Sequence, residues 1–148
     1  MTDELDITIR SMRPADYDAV REVWAAVGLS IRPTGRDAEA AVCTQLQHFS
    51  DLYLVAEHAG RVVGVVFGTH DVRKGWINRL AVHPDHQRHG VGRRLLEACA
   101  RGLDARGIGI VATLIEGENP ASEALFTHAG YEAFGPIRYF RKRQYPGV

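Results

Sequence analysis

The chain has 148 residues, in which 18 lysine and arginine residues balance 18 aspartate and glutamate residues. This length predicts a single domain over residues 1–148, and the balanced charge gives no reason to expect nucleic acid or a membrane surface as a partner. No apolar run approaches the roughly 18 residues of a transmembrane helix. The acidic first residues lack the apolar core of a signal peptide, so we expect a cytoplasmic protein.

The two cysteines, Cys43 and Cys99, each fall within a helical pattern of apolar residues. No C-x-x-C pair or cysteine–histidine spacing typical of a metal site accompanies them. We therefore expect both to be small core residues in a reducing compartment, and we expect no metal.

Apolar spacing in the first half of the chain predicts one strand, two helices and a β-hairpin. The predicted elements are a strand over residues 6–10, helices over about 14–27 and 36–49, and strands over 52–57 and 61–69. Pro14 suits the first turn of the first helix, and Gly28 suits its end. The short connection His58-Ala59-Gly60 has the spacing of a hairpin turn.

The centre of the chain changes from a strand pattern to a helix pattern. Residues 76–82 form a β-rich run that Pro84 ends, because proline cannot donate to a sheet ladder. Period-two alternation predicts that one face of this strand carries Trp76, Asn78, Leu80 and Val82. From residue 90 to residue 107 the apolar spacing is that of a helix.

Between this strand and this helix lies the sequence Gln-Arg-His-Gly-Val-Gly, residues 87–92. Gly90 and Gly92 let the backbone approach a ligand where a Cβ would obstruct it. The first turn of the helix offers unpaired N–H groups, and the positive end of its dipole, to an anion. Arg88, Arg93 and Arg94 add positive charge, and no acidic residue stands between positions 86 and 96. The pattern predicts a phosphate-binding loop.

Two common phosphate-binding motifs do not fit this loop. A dinucleotide fingerprint requires a third glycine where the chain has Leu95, and it requires an acidic residue about 20 positions beyond the loop. A Walker loop requires Gly-Lys-Ser/Thr, whereas two arginines follow Gly92. The sequence Gln87-Arg88-x-Gly90-x-Gly92, preceded by Leu80-Ala81-Val82-x-Pro84, instead resembles the acetyl-CoA-binding motif of the GNAT superfamily of N-acetyltransferases.

The last third of the chain predicts a strand, a helix and two closing strands. These elements cover residues 108–116, 119–130, 131–134 and 137–145. Asn119 and Pro120 are preferred at a helix N-terminus, and Gly130 is a preferred terminator. The complete order, β-α-α-β-β-β-α-β-α-β-β, predicts an α/β fold with one mixed sheet and helices on both faces.

A second segment supports the resemblance to the GNAT family. Residues 119–131 read Asn-Pro-Ala-Ser-Glu-Ala-Leu-Phe-Thr-His-Ala-Gly-Tyr, similar to the family's Asn-x-x-Ala-x-x-Leu-Tyr-x-x-x-Gly-Phe segment, and the element order is also the family's. The resemblance implies a sheet splayed at its centre and acetyl-CoA as cosubstrate. The cofactor-binding residues that it implies are Leu80, Ala81, Val82, Gln87, Arg88, His89, Gly90, Val91, Gly92, Arg93, Asn119, Ser122 and Phe126.

The activity that the resemblance implies is direct transfer of the acetyl group to a primary amine of a small molecule or amino acid. A protein N-terminus or lysine, as in ribosomal-protein acetyltransferases, and a non-catalytic acyl-CoA sensor are the alternatives. Arg32 and Arg36 are candidates to bind a substrate carboxylate, because guanidinium groups match carboxylates, and Asn78 is a third substrate-binding candidate. The protein is expected to be a monomer or a homodimer.

The sequence indicates the general base less directly than it indicates the cofactor-binding residues. Many relatives have a glutamate on the central strand, where this chain has Asn78, and an amide does not accept a proton at neutral pH. Glu116 is the candidate on the strand after the central helix. His83 and His86 are the alternatives, because histidine titrates near neutral pH.

The group that protonates the leaving thiolate is also open. Phe126 stands where the family usually has a tyrosine, and a phenylalanine has no proton to give. Tyr139 is the candidate substitute, ahead of Tyr131, and protonation by water is the other possibility.

Overall fold

The computed structural model describes residues 5–148, and its centre is one five-stranded sheet. The strands are β1 (Thr8–Ser11), β2 (Tyr53–His58), β3 (Arg61–His70), β4 (Gly75–Val82) and β5 (Val111–Ala112), and they lie side by side in that order. The first four strands pair antiparallel, and β5 joins β4 in parallel. The mixed sheet is therefore confirmed.

Four helices pack on this sheet. They are α1 (Tyr17–Ala26), α2 (Glu39–His48), α3 (Val91–Asp104) and α4 (Pro120–His128), with short 3-10 turns at Pro14–Asp16 and Pro84–His86. The hairpin between β2 and β3 turns through Ala59 and Gly60, both with positive φ, as a two-residue turn requires. Within residues 5–148 no helix is long and apolar enough to cross a bilayer.

The sheet separates two hydrophobic cores. Leu95, Leu96 and Cys99 of α3 pack on one face together with Phe126 of α4, and Val20, Trp24 and Val42 of α1 and α2 pack on the other. The predicted helices on both faces are therefore confirmed. Cys99 is fully buried, as expected, whereas Cys43 is partly exposed.

Strand β4 contains a bulge that the sequence pattern does not reveal. Its register changes from Ala81 opposite Val65 to Asn78 opposite Phe67, so β4 advances three residues while β3 advances two. Two residues, Arg79 and Leu80, thus oppose one, and Arg79 takes a φ of 57°.

The bulge shifts the alternation of side chains along β4. Ile77 belongs to the core beneath α3, and Leu80 and Val82 pack against that same core although they lie an odd number of residues from Ile77. The prediction of one unbroken face through Trp76, Asn78, Leu80 and Val82 is therefore wrong, because an inserted residue reverses the facing of every residue beyond it.

Strands β4 and β5 separate soon after they meet. Only Gly75 with Val111 and Trp76 with Ala112 are paired, and the Thr113 hydroxyl then donates a 2.8 Å hydrogen bond to the Ile77 carbonyl oxygen. Beyond this point β5 no longer lies beside β4, so one side of residues 78–82 is open. The sheet is splayed at its centre, as the resemblance implies, and the strand predicted over 108–116 is reduced to two residues.

The two closing strands predicted over 131–134 and 137–145 are not present in the described chain. A strand requires a neighbouring ladder, and β5 offers only two residues, which already pair with β4. Phe134 and Phe140 are 86% and 85% exposed, so this segment buries no apolar face against the sheet.

The end of the chain instead lies against the loop that precedes α2. A Cβ placed on Gly35 would be 2.6 Å from the Gly147 carbonyl oxygen, so only glycine fits there. Residues of the segment 137–148 line the same cavity as Asn78 and Leu80 of the splayed strand β4.

Candidate active site

A cavity of about 1250 Å³ opens where β4 and β5 separate. Its walls are the loop between α1 and α2, the splayed strands, the start of α4 and the last segment of the chain. The predicted site residues that line it are Arg32, Arg36, Asn78, Leu80, Glu116, Asn119, Ser122, Phe126 and Tyr139. This volume exceeds the roughly 300–1,000 Å³ usual for one small ligand, so the cavity has room for parts of two substrates.

The open side of β4 forms one wall of this cavity. Because β5 has turned away, residues 78–82 are paired with β3 alone among the described strands. An extended ligand that carries amide groups can pair with such an edge as an added strand would. The arrangement suits a chain with peptide-like amides better than a compact ligand.

The predicted phosphate loop lies at the start of α3, outside the lining of this cavity. Gly90 is the N-cap residue, with a φ of 76°, and no side chain caps the helix. The first intrahelical bond runs from the Arg94 N–H to the Gly90 carbonyl oxygen. Within residues 5–148 the N–H groups of Val91, Gly92 and Arg93 find no acceptor, so they remain available to an anion.

The backbone conformation requires glycine at one of the two glycine positions of this loop but not at the other. Gly90 needs a backbone conformation that L residues rarely adopt. Gly92 does not, and a Cβ there would lie 3.5 Å from Leu125 and 3.6 Å from Val82, which is ordinary contact. The packing of the protein therefore allows a side chain at position 92. Arg88, with a φ of 67°, is the non-glycine residue that bears backbone strain in this loop.

Several predicted cofactor residues already have partners inside the protein. Gln87 Nε2 donates to the Val82 carbonyl oxygen at 2.9 Å, which ties the loop to the end of β4. Arg93 Nε donates to Glu97 Oε1 at 2.9 Å across one helical turn. Asn119 Oδ1 accepts the Ser122 N–H at 3.2 Å and caps α4, so only its amide NH₂ faces a ligand. These three side chains therefore already stabilise parts of the protein itself, namely the loop, the first turns of α3 and the start of α4.

His89 lies outside the large cavity and lines a separate one of about 490 Å³, together with Arg94 and residues 5–7. Ala81 is buried in the core beneath α1, so only its backbone can meet a ligand. Of the remaining predicted cofactor residues, Ser122 and Phe126 lie on α4 and line the large cavity, and the others belong to the loop and the open strand described above.

Both catalytic candidates, Glu116 and Tyr139, line the large cavity. Glu116 is exposed and lines the cavity just before α4. Phe126 is 7% exposed, and its ring meets the edge of Tyr131 at 5.1 Å between centroids. Tyr139 is 72% exposed and reaches the cavity from the last segment. Burial raises the pKa of Tyr131, which does not line the cavity.

The two histidines considered as alternative bases lie elsewhere. His83 and His86 pack against each other at 6.1 Å between ring centroids, and His58 lies 5.4 Å from His86. Burial, reinforced by repulsion from the other two rings, lowers the pKa of His86. Neither His83 nor His86 lines the cavity, so the structure does not support either as the base.

The structure also reveals a polar pair that the sequence did not indicate. Arg79, on the bulge, donates to Asp37 Oδ2 at 2.8 Å and to the Ser30 carbonyl oxygen at 2.7 Å, and its guanidinium lies over the Trp24 ring. Asp37 Oδ2 also accepts the Arg32 N–H at 2.7 Å. No local signal marks this pair, because its members are 42 positions apart.

A second polar contact lies in the cavity wall. The Tyr53 hydroxyl donates to Gln45 Oε1 at 2.8 Å, and burial raises the pKa of Tyr53 to about 12. Tyr53 is thus a neutral group at physiological pH. Among residues 5–148 no group of three or more histidine, cysteine, aspartate or glutamate side chains is arranged to hold a metal ion.

Comparison with known proteins places this site in a family. The family model for the acetyltransferase (GNAT) domain matches residues 49–133. An acetyltransferase from Sodalis glossinidius is 33% identical over 135 residues, covering 91% of this chain and 94% of its own. One from Pectobacterium atrosepticum is 33% identical over 141 residues, covering 93% and 99%.

Solved structures share the fold at lower identity. Ard1 from Thermoplasma volcanium gives a TM-score of 0.77 at 19% identity, covering 88% of this chain and 86% of its own. The PaiA N-acetyltransferase from Thermoplasma acidophilum, in complex with coenzyme A, gives 0.76 at 17% identity, covering 90% and 94%. YncA from Salmonella typhimurium, with its cofactor acetyl-CoA, gives 0.71 at 24% identity, covering 91% and 87%. The resemblance seen in the motifs is confirmed, and the chain belongs to the GNAT family of acetyltransferases.

Proposed function

We propose that this protein transfers the acetyl group of acetyl-CoA directly to a primary amine of a small molecule or amino acid. One structural arrangement, that of β4 between the start of α3 and the large cavity, supports the proposal. The open side of β4 runs from the anion-binding start of α3 toward a cavity that holds Glu116. A ligand with phosphates at one end and a reactive thioester at the other fits that path.

The residues present fit coenzyme A at both ends. The unpaired N–H groups at the start of α3 suit its pyrophosphate, since no acidic residue lies in that first turn. The open backbone of residues 78–82 suits the two amides of its pantetheine arm. The free amide NH₂ of Asn119 lies beside this path as a further donor. The cosubstrate supplies the acetyl thioester.

The acceptor amine must lose a proton to react, because most alkylamines are ammonium ions at neutral pH. Glu116 is the carboxylate positioned for this step, directly or through a water molecule, since it lines the cavity and forms no ion pair within residues 5–148. The amine nitrogen then bonds to the acetyl carbon, the carbon–sulfur bond breaks, and the nitrogen releases its second proton to water as the amide forms. The departing thiolate takes up one proton, from Tyr139 or from water.

A contact at the far side of the cavity favours a small acceptor. The last segment crosses to the loop before α2, where Gly147 lies against Gly35, and so narrows the acceptor side. A wall on this side of the cavity limits the length of chain that can enter, and so it favours a small amine or amino acid over a polypeptide.

Acetyl-CoA turnover with a panel of amines, amino acids and short peptides tests this proposal. We expect steady release of CoA thiol with at least one small amine or amino acid, together with the N-acetyl product by mass spectrometry. Tight binding of acetyl-CoA without transfer to any member would support a sensor and refute the proposal. Transfer to peptides alone would refute the small-molecule acceptor.

A further inference from the structure

The side chains that line the large cavity carry a net positive charge, although the whole chain is neutral. The chain is neutral overall, yet among residues 5–148 six of the side chains that line the cavity are basic and two, those of Asp37 and Glu116, are acidic. The basic residues are Arg32, Arg36, Arg79, Arg141, Lys142 and Arg143. A cleft lined by one sign of charge attracts ligands of the opposite sign more strongly than scattered charges do.

Part of this charge is used within the protein. Arg79 and Asp37 neutralise each other in the pair that joins β4 to the loop before α2. The side chains of Arg32, Arg36, Arg141 and Arg143 form no ion pair within residues 5–148. We call these four residues the arginine cluster.

The arginine cluster brings together two segments that are far apart in sequence. The first two members precede α2, and the last two belong to the segment that crosses the cavity. Repulsion from Arg141 lowers the pKa of Arg143, and Arg32 and Arg36 contribute to the same effect. Like charges gathered in this way raise the energy of the free protein, and an anion bound between them relieves that repulsion.

The arginine cluster is separate from the phosphate-binding loop. None of residues 87–94 lines the cavity that contains the cluster, so the pyrophosphate site at the start of α3 does not account for it. Glu116 lies in that same cavity and is the position toward which an acceptor amine would point.

We propose that the acceptor amine carries an anionic group, a carboxylate or a phosphate, which the arginine cluster binds while the amine faces Glu116. Guanidinium groups bind both kinds of oxyanion through paired N–H donors. The inference rests on the proposed acetyl transfer and defines its substrate class.

The positive charge of the arginine cluster also predicts which amines the cavity selects. A positive environment disfavours an ammonium ion and so favours the free amine that reacts. A polyamine would bring several positive charges into this environment with no anion to compensate, so the cavity should reject it. An amine with one anionic group is attracted by that group and is oriented by it.

Matched pairs of amines test the inference. The carboxylate arm compares 4-aminobutyrate with butylamine and leucine with leucinamide, the phosphate arm compares phosphoethanolamine with ethanolamine, and spermidine serves as the polycation. We expect kcat/KM to be about tenfold higher or more for the anionic member of at least one arm, since a charge-assisted contact contributes that much. Equal values within every pair, or a preference for spermidine, would overturn the inference and leave acetyl transfer intact.

Two glutamine variants identify the residues responsible. Arg143→Gln should lower the anionic-to-neutral ratio of kcat/KM by about fivefold or more, as loss of one charged contact does. Arg138→Gln is the matched control, because Arg138 lies on the same segment but does not line the cavity, and it should leave the ratio unchanged. An equal fall in both variants would show a non-specific effect and overturn the assignment.

A binding measurement separates this inference from the proposed function. Calorimetric titration with N-acetyl-leucine and N-acetyl-leucinamide measures the anion preference without any turnover. A preference for the carboxylate that Arg143→Gln abolishes would support the arginine cluster even if no amine were acetylated. The absence of that preference in the wild-type protein, together with equal kcat/KM values, would remove the cluster while acetyl transfer stands.

Discussion

Asp37 and Arg79 form a partly buried ion pair, with 2.8 Å between Asp37 Oδ2 and Arg79 Nη2, that joins the loop before α2 to the bulge of β4. Asp37 is 4% exposed. Its carboxylate also accepts the backbone N–H of Arg32. The pair therefore fixes the loop before α2 relative to β4, the strand along which we propose that the pantetheine arm lies.

Arg79→Gln should destabilise the protein by about 2–3 kcal/mol, because it leaves the Asp37 carboxylate buried without its counter-ion. Urea unfolding measures this loss. Arg93→Ala is the control: the ion pair of Arg93 with Glu97 is exposed, and its loss should cost about 0.5 kcal/mol or less. Equal costs for the two variants would show that the buried pair contributes no more than a surface one.

Gly92→Val should abolish detectable CoA binding while the protein stays folded. A Cβ at this position meets Leu125 and Val82 only at ordinary contact distance, but it would stand where the backbone is expected to approach the pyrophosphate. Calorimetric titration with CoA, with circular dichroism as the folding check, measures both effects. Gly109→Val is the control, since nothing lies within 4 Å of a Cβ there. Unaltered affinity in Gly92→Val would remove the basis for the pyrophosphate site.

Asp16→Asn should reveal a carboxylate that stabilises the fold above its own titration range. Asp16 accepts two hydrogen bonds from Arg10, at 2.8 and 2.9 Å, and one from the Arg13 N–H. The Arg10 guanidinium, opposed by burial, lowers the pKa of Asp16 below its ordinary value of 3.8. A lowered folded pKa means that this stabilisation is present above the unfolded pKa and is lost as the pH falls through the folded pKa.

The variant should therefore be about 1–3 kcal/mol less stable than the wild type near neutral pH, and this difference should shrink as the solution is acidified. Urea unfolding at about pH 7 and about pH 3 gives the two values. A difference of the same size at both pH values would contradict the electrostatic origin.

The sequence predicted those parts of the molecule that local signals determine. The helix from Gly90 and the cap at Asn119 rest on residues whose own chemistry selects the conformation, and the hairpin at Ala59 and Gly60 has a length that selects its turn. The bulge at Arg79 was not predicted, because it is stabilised by Asp37, a residue that is distant in sequence. The prediction of the two closing strands was wrong for a similar reason, since alternation of apolar and polar residues predicts a strand only where a neighbouring strand is available for pairing.

The distinction between locally determined features and features that depend on distant residues also applies to the site. The structure brings Glu116, Asn119 and Phe126 to one cavity, as the spacing around α4 suggested. Their catalytic and binding roles stay predictions. The arginine cluster joins two segments that residues 37–140 separate in the sequence, so only the folded chain reveals it.

Glu116→Gln should lower kcat by about 10²-fold or more if this carboxylate is the general base, and it should remove the acid limb of the pH–rate profile. The substitution keeps the size of the side chain, so CoA affinity should be unaffected. Steady-state kinetics across pH, with CoA titration as the control, measures both quantities. An unchanged rate with an unchanged acid limb would exclude Glu116 and leave a water molecule as the proton acceptor.

Variants of Phe126 and Tyr139 test how the thiolate is protonated. Phe126 is buried beside the cavity and has no proton to give, whereas the exposed Tyr139 hydroxyl lies at the same cavity. Phe126→Tyr should leave CoA affinity unchanged, and it should either raise turnover or leave it alone, since the ring remains and a hydroxyl is added. Tyr139→Phe should lower kcat by about 10²-fold if its hydroxyl is the general acid. A wild-type kcat in Tyr139→Phe would assign the proton to water, because Tyr131, the tyrosine whose ring contacts Phe126, does not line the cavity.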